Sequence, residues 1–310
     1  MILEFGLLSI GLVLLYLGSE FLVRGAASTA ILLSVKPVIV GLTVISFATS
    51  APELLVSLVA AVNEAQGISV GNILGSNVIN IALVLGICAV IKPVHINGQI
   101  LKFEMPFMVT ASIIFGLLCI DGYIGFFDGA VLIFLLALFL GFGIANSREK
   151  GNNSMDKDRS FKRFSINAVM IIGGILGLAK GADMVVQSAI FMARSIGLSE
   201  AFIGISVVAL GTSLPELAAS AVAASKGESD LSLGNIVGSN LFNICLVMGV
   251  VGLLNPMQID KALMHFKFPF MIFICVMLYG VALLKNRIDQ KTGAVFILLF
   301  IVYIVVSYYK

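Results

Sequence analysis

The stretch GLTVISFATSAPELLVSLVAA (residues 41–61) returns later in the chain as GISVVALGTSLPELAASAVAA (204–224). A second stretch, ISVGNILGSNVINIALVLG (68–86), returns as LSLGNIVGSNLFNICLVMG (231–249) at the same offset. Laid over 204–256, residues 41–93 give 24 identities in 53 positions without a gap. The match continues weakly through FEMPFM (103–108) and FKFPFM (266–271). Two copies of one unit therefore make up the chain. Packing alone asks only for apolar size, so it does not account for Thr, Ser, Pro, Glu and Asn recurring at matching positions inside apolar runs.

The medium around these runs follows from composition. Of 310 residues, 59% are hydrophobic and 12% charged, and the mean hydropathy is +1.10. A soluble protein carries about 45–50% apolar and about 25% charged residues. The excess apolar surface has to face lipid. That excludes a soluble enzyme, a secreted disulfide domain, a disordered chain and a nucleic-acid binder, and a net charge of +2 does not suggest a polyanion partner. Cys88, Cys119, Cys245 and Cys275 sit in apolar runs without metal or disulfide spacing and read as small buried hydrophobes. The first apolar run has no basic leader or small-residue cleavage site, so it reads as a retained helix.

Apolar runs long enough to cross a bilayer occur at 5–23, 37–62, 69–91, 105–120, 125–145, 164–193, 200–225, 231–254, 266–284 and 292–308. The expected fold is an all-α membrane protein of ten transmembrane helices, with 37–62 and 164–193 long enough to be tilted or broken. The polar stretch 146–163 divides it into a first five-helix repeat (1–145) and a second (164–310). An odd number of spans per copy turns the second copy upside down in the membrane, giving inverted repeats. Lysines and arginines fall fourteen to four on the two sides, with Lys180 inside a span. The positive-inside rule then predicts a cytoplasmic 146–163 loop and both termini outside, in the cell membrane.

Glu53 and Glu216 lie mid-span, where a carboxylate costs about 2.5–3.5 kcal/mol on insertion scales. No lysine or arginine in either motif can pair with them. Facing each other across a pseudo-twofold axis they would repel, and a bound cation removes both costs. Pro52 and Pro215 precede them and lack the N–H that would bond the carbonyls of Ala48 and Gly211. Bare carbonyls at membrane depth are tolerated where they line a wet cavity. Carboxylate, hydroxyl and carbonyl oxygens suit Ca²⁺ or Na⁺; nothing here suits zinc or copper. In the third and eighth spans Asn72, Ser76 and Asn80, and again Asn235, Ser239 and Asn243, fall every four residues on one helix face. Ser76, Asn80, Ser239 and Asn243 read as ion contacts. Asn72 and Asn235, nearer the span ends, read equally as helix–helix contacts. Glu20 and Asp183 are repeat partners, and Lys180 is placed to pair with Asp183.

These motifs resemble the alpha-repeats of the cation/calcium exchanger superfamily, specifically its sodium/calcium exchanger branch and the prokaryotic calcium/sodium antiporters. The family pattern GTSxPE stands as Ala48–Glu53 and Gly211–Glu216, and GNxxGSNxxN/D is present in both copies. The resemblance covers nearly the whole chain. It implies a midplane cation cluster, with Ca²⁺ held by Glu53 and Glu216 and by the carbonyls of Thr49 and Thr212. Na⁺ sites would add Ser50, Ser213, Ser76, Ser239 and the backbones near Ser46 and Ala209, and Asn80 and Asn243 would complete the middle. Two positions depart from the family: Ala48 replaces a glycine, and Asn243 stands where some relatives carry an aspartate associated with K⁺ dependence. The TSxPE motif, in place of the GNxxE of the proton/calcium branch, favours sodium as the driver.

The function this implies is secondary antiport of about three Na⁺ for each Ca²⁺, electrogenic and K⁺-independent. At about 100 mV the one net charge per cycle is worth roughly 2.3 kcal/mol. No catalytic residue and no resident cofactor is expected: Ca²⁺ and Na⁺ are cargo, and the bilayer is the partner, with no obligate protein partner evident. A proton/calcium exchanger is the nearer rival and a cation channel the remoter one. A hydrolase is disfavoured because Ser50 and Ser213 have no histidine in any span.

Overall fold

A computed structural model of the protein describes residues 2–63, 66–145, 157–195 and 209–309. Twelve helical segments organise it. They are α1 (Ile2–Leu33), α2 (Pro37–Thr49), α3 (Ala51–Val62), α4 (Gly67–Ile91), α5 (Ile100–Leu118), α6 (Phe126–Ala145), α7 (Lys157–Ser195), α8 (Ala209–Thr212), α9 (Leu214–Lys226), α10 (Ser229–Leu254), α11 (Leu263–Lys285) and α12 (Gln290–Tyr309). Among the described residues, eight helices are each long and apolar enough to cross a membrane. The α2–α3 pair, bent by 43° at Ser50, has the composition of a ninth. The run expected at 200–225 is described only from Ala209 onward, and most of the 146–163 loop lies outside the described residues.

The two long runs behave differently. The 37–62 run breaks at Ser50 (φ −81°, ψ 2°), immediately before the Ala51–Pro52 step. Proline cannot donate to the carbonyl four residues back, so the helix restarts there. Ser213 (φ −90°, ψ 6°) breaks the second copy at the matching place. By contrast 164–193 is unbroken: it lies within α7, a single helix of 39 residues. With no proline in its sequence, nothing interrupts its hydrogen-bond ladder. Likewise α1 continues to Leu33, so Arg24 lies on a helix and not in a loop.

Helices α4 and α10 form the centre, with 83% of their apolar windows buried against 22% for α6 and 28% for α12. The outer helices turn Leu and Phe outward, Phe127 being 83% and Leu284 86% exposed, as a lipid-facing surface requires. Glycines set the closest crossings. A Cβ on Gly234 of α10 would stand 2.7 Å from the Val38 carbonyl oxygen and 3.2 Å from the Gly41 Cα of α2. A Cβ on Gly174 of α7 would stand 2.7 Å from the Gly18 carbonyl oxygen of α1. The four cysteines are buried and unbridged.

Short strands, for which the sequence offers no alternating pattern, tie the two copies together. Strands β1 (Val94–His95) and β4 (Arg287–Ile288) pair antiparallel, as do β2 (Tyr123–Ile124) and β3 (Met257–Gln258). Asn97 donates to Asp230 (2.8 Å) and Lys36 to Gln99 (2.5 Å), on the side of the β1–β4 pair. Asn255 donates to the Ala61 carbonyl on the side of the β2–β3 pair. Among the described residues, successive chain reversals therefore fall alternately on these two sides.

Candidate functional site

The two helix breaks meet. Ser50 Oγ donates to Glu216 Oε1 and Ser213 Oγ donates to Glu53 Oε1, each at 3.4 Å. Each glutamate is thus held by the serine of the opposite copy. Glu53 and Glu216 are wholly buried, and their carboxylates lie within electrostatic reach of each other. Ser76 and Thr212 lie beside Glu53, and Thr49 beside Glu216.

Around this pair the polar contacts come in copies 163 residues apart. Asn72 Nδ2 donates to Ser57 Oγ (3.2 Å), and Asn235 Nδ2 to Ser220 Oγ (2.9 Å). These bonds fasten α4 to α3 and α10 to α9, so Asn72 spends its donor on helix–helix contact. Asn235 also accepts from Thr49 Oγ1 (3.2 Å), which stands 3.3 Å from Ser239 Oγ. Ser46 Oγ donates to the Gly41 carbonyl (2.7 Å) and lies 3.0 Å from the Asn235 carbonyl oxygen, so it joins α2 to α10. Ala209 opens α8, one turn before Ser213.

Buried polar atoms almost always find a partner. Among the described residues eleven buried side-chain atoms find none, and five of them are Glu53 Oε2, Glu216 Oε2, Ser76 Oγ, Asn80 Oδ1 and Asn243 Oδ1. All five are oxygens with lone pairs to offer. They belong to residues singled out from the sequence and lie at the two breaks and on the two central helices. Among the described residues there is no cluster of three or more His, Cys, Asp or Glu side chains. The arrangement is two carboxylates amid hydroxyl and amide oxygens, a hard donor set for an alkali or alkaline-earth cation.

Two residues escaped the sequence reading. Asn80 Nδ2 donates to Asn240 Oδ1 (3.4 Å) and Asn243 Nδ2 to Asn77 Oδ1 (3.1 Å). Asn77 and Asn240 occupy matching positions in the repeated GSN, which was the available signal. They lie off the four-residue face of the other polar groups.

Outside the centre, Glu20 bridges Arg24 (2.5 Å) and Lys226 (2.6 Å), linking α1 to the end of α9. Lys180 and Asp183 pair at 2.8 Å on an exposed face of α7.

Comparison with known proteins identifies the family. The family described as "Sodium/calcium exchanger protein" matches residues 3–145 and 166–309. The inner membrane protein YrbG of Escherichia coli is 34% identical, the alignment covering 100% of this chain and 98% of YrbG. The sodium/calcium exchanger MaX1 of Methanosarcina acetivorans is 28% identical over 99% of both chains. A solved structure of the sodium-calcium exchanger NCX_Mj superposes with a TM-score of 0.88 at 31% identity, covering 98% of each chain. An all-helical, multi-pass membrane protein with this pair of buried carboxylates, the chain belongs to the sodium/calcium exchanger family of cation/Ca²⁺ antiporters.

Proposed function

We propose that the protein exchanges Na⁺ for Ca²⁺ across the cell membrane at one midplane site built on Glu53 and Glu216. The observation that carries this reading is the reciprocal pairing of Ser50 with Glu216 and Ser213 with Glu53, together with the unpartnered buried oxygens of both glutamates, Ser76, Asn80 and Asn243. Two carboxylates neutralise one Ca²⁺ or two Na⁺. The same oxygens cannot serve both loads at once, and an empty doubly negative site is too costly to cross a dry barrier. Competition for one site therefore couples the two fluxes in opposite directions. Thr49 and Thr212 complete the Ca²⁺ shell with their carbonyls. Ser50, Ser213, Ser76 and Ser239, with the backbones near Ser46 and Ala209, serve Na⁺, and Asn80 and Asn243 stand between.

About three Na⁺ enter for each Ca²⁺ extruded, moving one net charge inward. K⁺ is not carried, because Asn243 supplies no third carboxylate. The fold is read as ten spans in two inverted five-helix repeats, 1–145 and 164–310, joined by a cytoplasmic 146–163 loop, with both termini outside. The alternation of chain reversals between the β1–β4 and β2–β3 sides supports it, as do the contacts copied at an offset of 163.

The test is ⁴⁵Ca²⁺ uptake into proteoliposomes loaded with Na⁺, with Na⁺, proton or K⁺ gradients imposed in turn. An outward Na⁺ gradient alone should drive uptake. Uptake driven by a proton gradient and indifferent to Na⁺ would assign the proton-coupled alternative. Uptake that vanishes without K⁺ would overturn the reading of Asn243.

A further inference from the structure

Asn80 and Asn243 can serve a cation only if their carboxamides turn the oxygen toward it. A carboxamide is nearly symmetric in shape, and flipped it would present an NH₂ that repels the ion. Something has to fix its sense.

The candidates are the two asparagines behind them. Asn240 Oδ1 accepts from Asn80 Nδ2 at 3.4 Å, and its own Nδ2 points to Met108 Sδ at 3.6 Å. In the other copy Asn77 Oδ1 accepts from Asn243 Nδ2 at 3.1 Å, and Asn77 Nδ2 points to Met271 Sδ at 3.7 Å. Asn77 Nδ2 also lies 3.4 Å from the Asn240 carbonyl oxygen, another acceptor. All six side chains are fully buried. Each relay crosses between the halves: α5 to α10 to α4 in one, α11 to α4 to α10 in the other.

A thioether has no proton to give and can only accept, weakly. It therefore favours the NH₂ of Asn240 on its side, which leaves Asn240 Oδ1 facing Asn80. Asn80 must then answer with its NH₂, and its oxygen is left over. That remaining oxygen, like the one on Asn243, has no partner among the described residues. Reversing the chain would place a carbonyl oxygen against sulfur lone pairs and an NH₂ in the site.

We propose that Asn77 and Asn240, each polarised by a methionine thioether (Met271 and Met108), are positioning residues that fix the amide sense of Asn243 and Asn80 so that both present oxygen to the transported cation. The inference rests on the antiport reading above and adds residues to its site.

The test is a double-mutant cycle read as the Ca²⁺ concentration for half-maximal Na⁺-driven flux in proteoliposomes. Asn240→Ala should raise that concentration at least about tenfold, because the Asn80 amide is released. In the Asn80→Asp background the same change should cost less than about twofold, since a carboxylate has two equivalent oxygens and no sense to fix. An equal cost in both backgrounds, or no cost in the first, overturns the inference while leaving antiport intact. Wild-type protein that moves no Ca²⁺ overturns antiport and the inference together. Should Asn240→Ala not fold, the volume-conserving Met108→Leu decides the matter, because Met108 Sδ accepts from Asn240 Nδ2, whereas Asn77 Nδ2 keeps the Asn240 carbonyl when Met271 is replaced. It should raise half-saturating Ca²⁺ about threefold or more without lowering the maximal rate, and an unchanged half-saturation overturns the inference.

Discussion

Ser50 and Ser213 are where the two halves exchange chemistry: each hydroxyl donates to the glutamate of the other copy. A hydrogen bond to a charged group is worth about 1.5–3 kcal/mol, so Ser50→Ala or Ser213→Ala should weaken ion binding roughly tenfold or more. Half-saturating Na⁺ in the flux assay reads this directly, and values unchanged from wild type would contradict the contact. At this scale the sequence was most legible. Glu53, Glu216, Ser76, Asn80 and Asn243 stood out because polar groups inside lipid-depth runs need a reason, and each carries an unpartnered buried oxygen. Asn77 and Asn240 were not legible, because their role comes from contacts between halves that no single-helix face displays.

Helix ends and crossings carry the next level. The break at Ser50 was readable from Pro52, whose missing N–H is a local property. The unbroken α7 was not, since run length alone does not separate a long helix from a broken one. Gly174 and Gly234 lie where helix backbones touch. Gly174→Val should force α7 off α1, an overpacking that costs about 1–3 kcal/mol. A lower melting temperature in detergent is the expected result, and an unchanged one would contradict the crossing. At the start of α12, Asp289 accepts from Thr292 Oγ1 (2.7 Å) and Thr292 N (2.9 Å). These bonds, with Lys285 nearby, hold its carboxyl well below the usual carboxylate range. A depressed pKa in the folded state means a stabilising contribution present at neutral pH and lost in strong acid. Asp289→Ala should therefore lower the melting temperature at pH 7, with the difference shrinking as the pH falls. A difference that grows on acidification would contradict this cap.

The whole molecule turns these local facts into coupling. Lipid-facing outer helices surround α4 and α10, so the carboxylates sit in a buried centre. A site that must be loaded before it is moved makes an exchanger, and an excess charge in the cargo makes it sensitive to voltage. Under the proposed exchange of about three Na⁺ for each Ca²⁺, an inside-positive potential imposed on Na⁺-loaded vesicles should speed Ca²⁺ uptake, and indifference to potential would point to neutral exchange. Membrane residence and the repeat were readable from composition and self-similarity. The strand pairs that close the ends were not, because two-residue strands carry no periodicity. All of this depends on Glu53 and Glu216 holding the ion in transit. The most direct measurement is Na⁺-gradient-driven ⁴⁵Ca²⁺ flux in vesicles containing Glu53→Gln or Glu216→Gln, which keep the shape and remove the charge. Flux should fall by about a hundredfold or more in each variant, and wild-type flux in either would contradict the account.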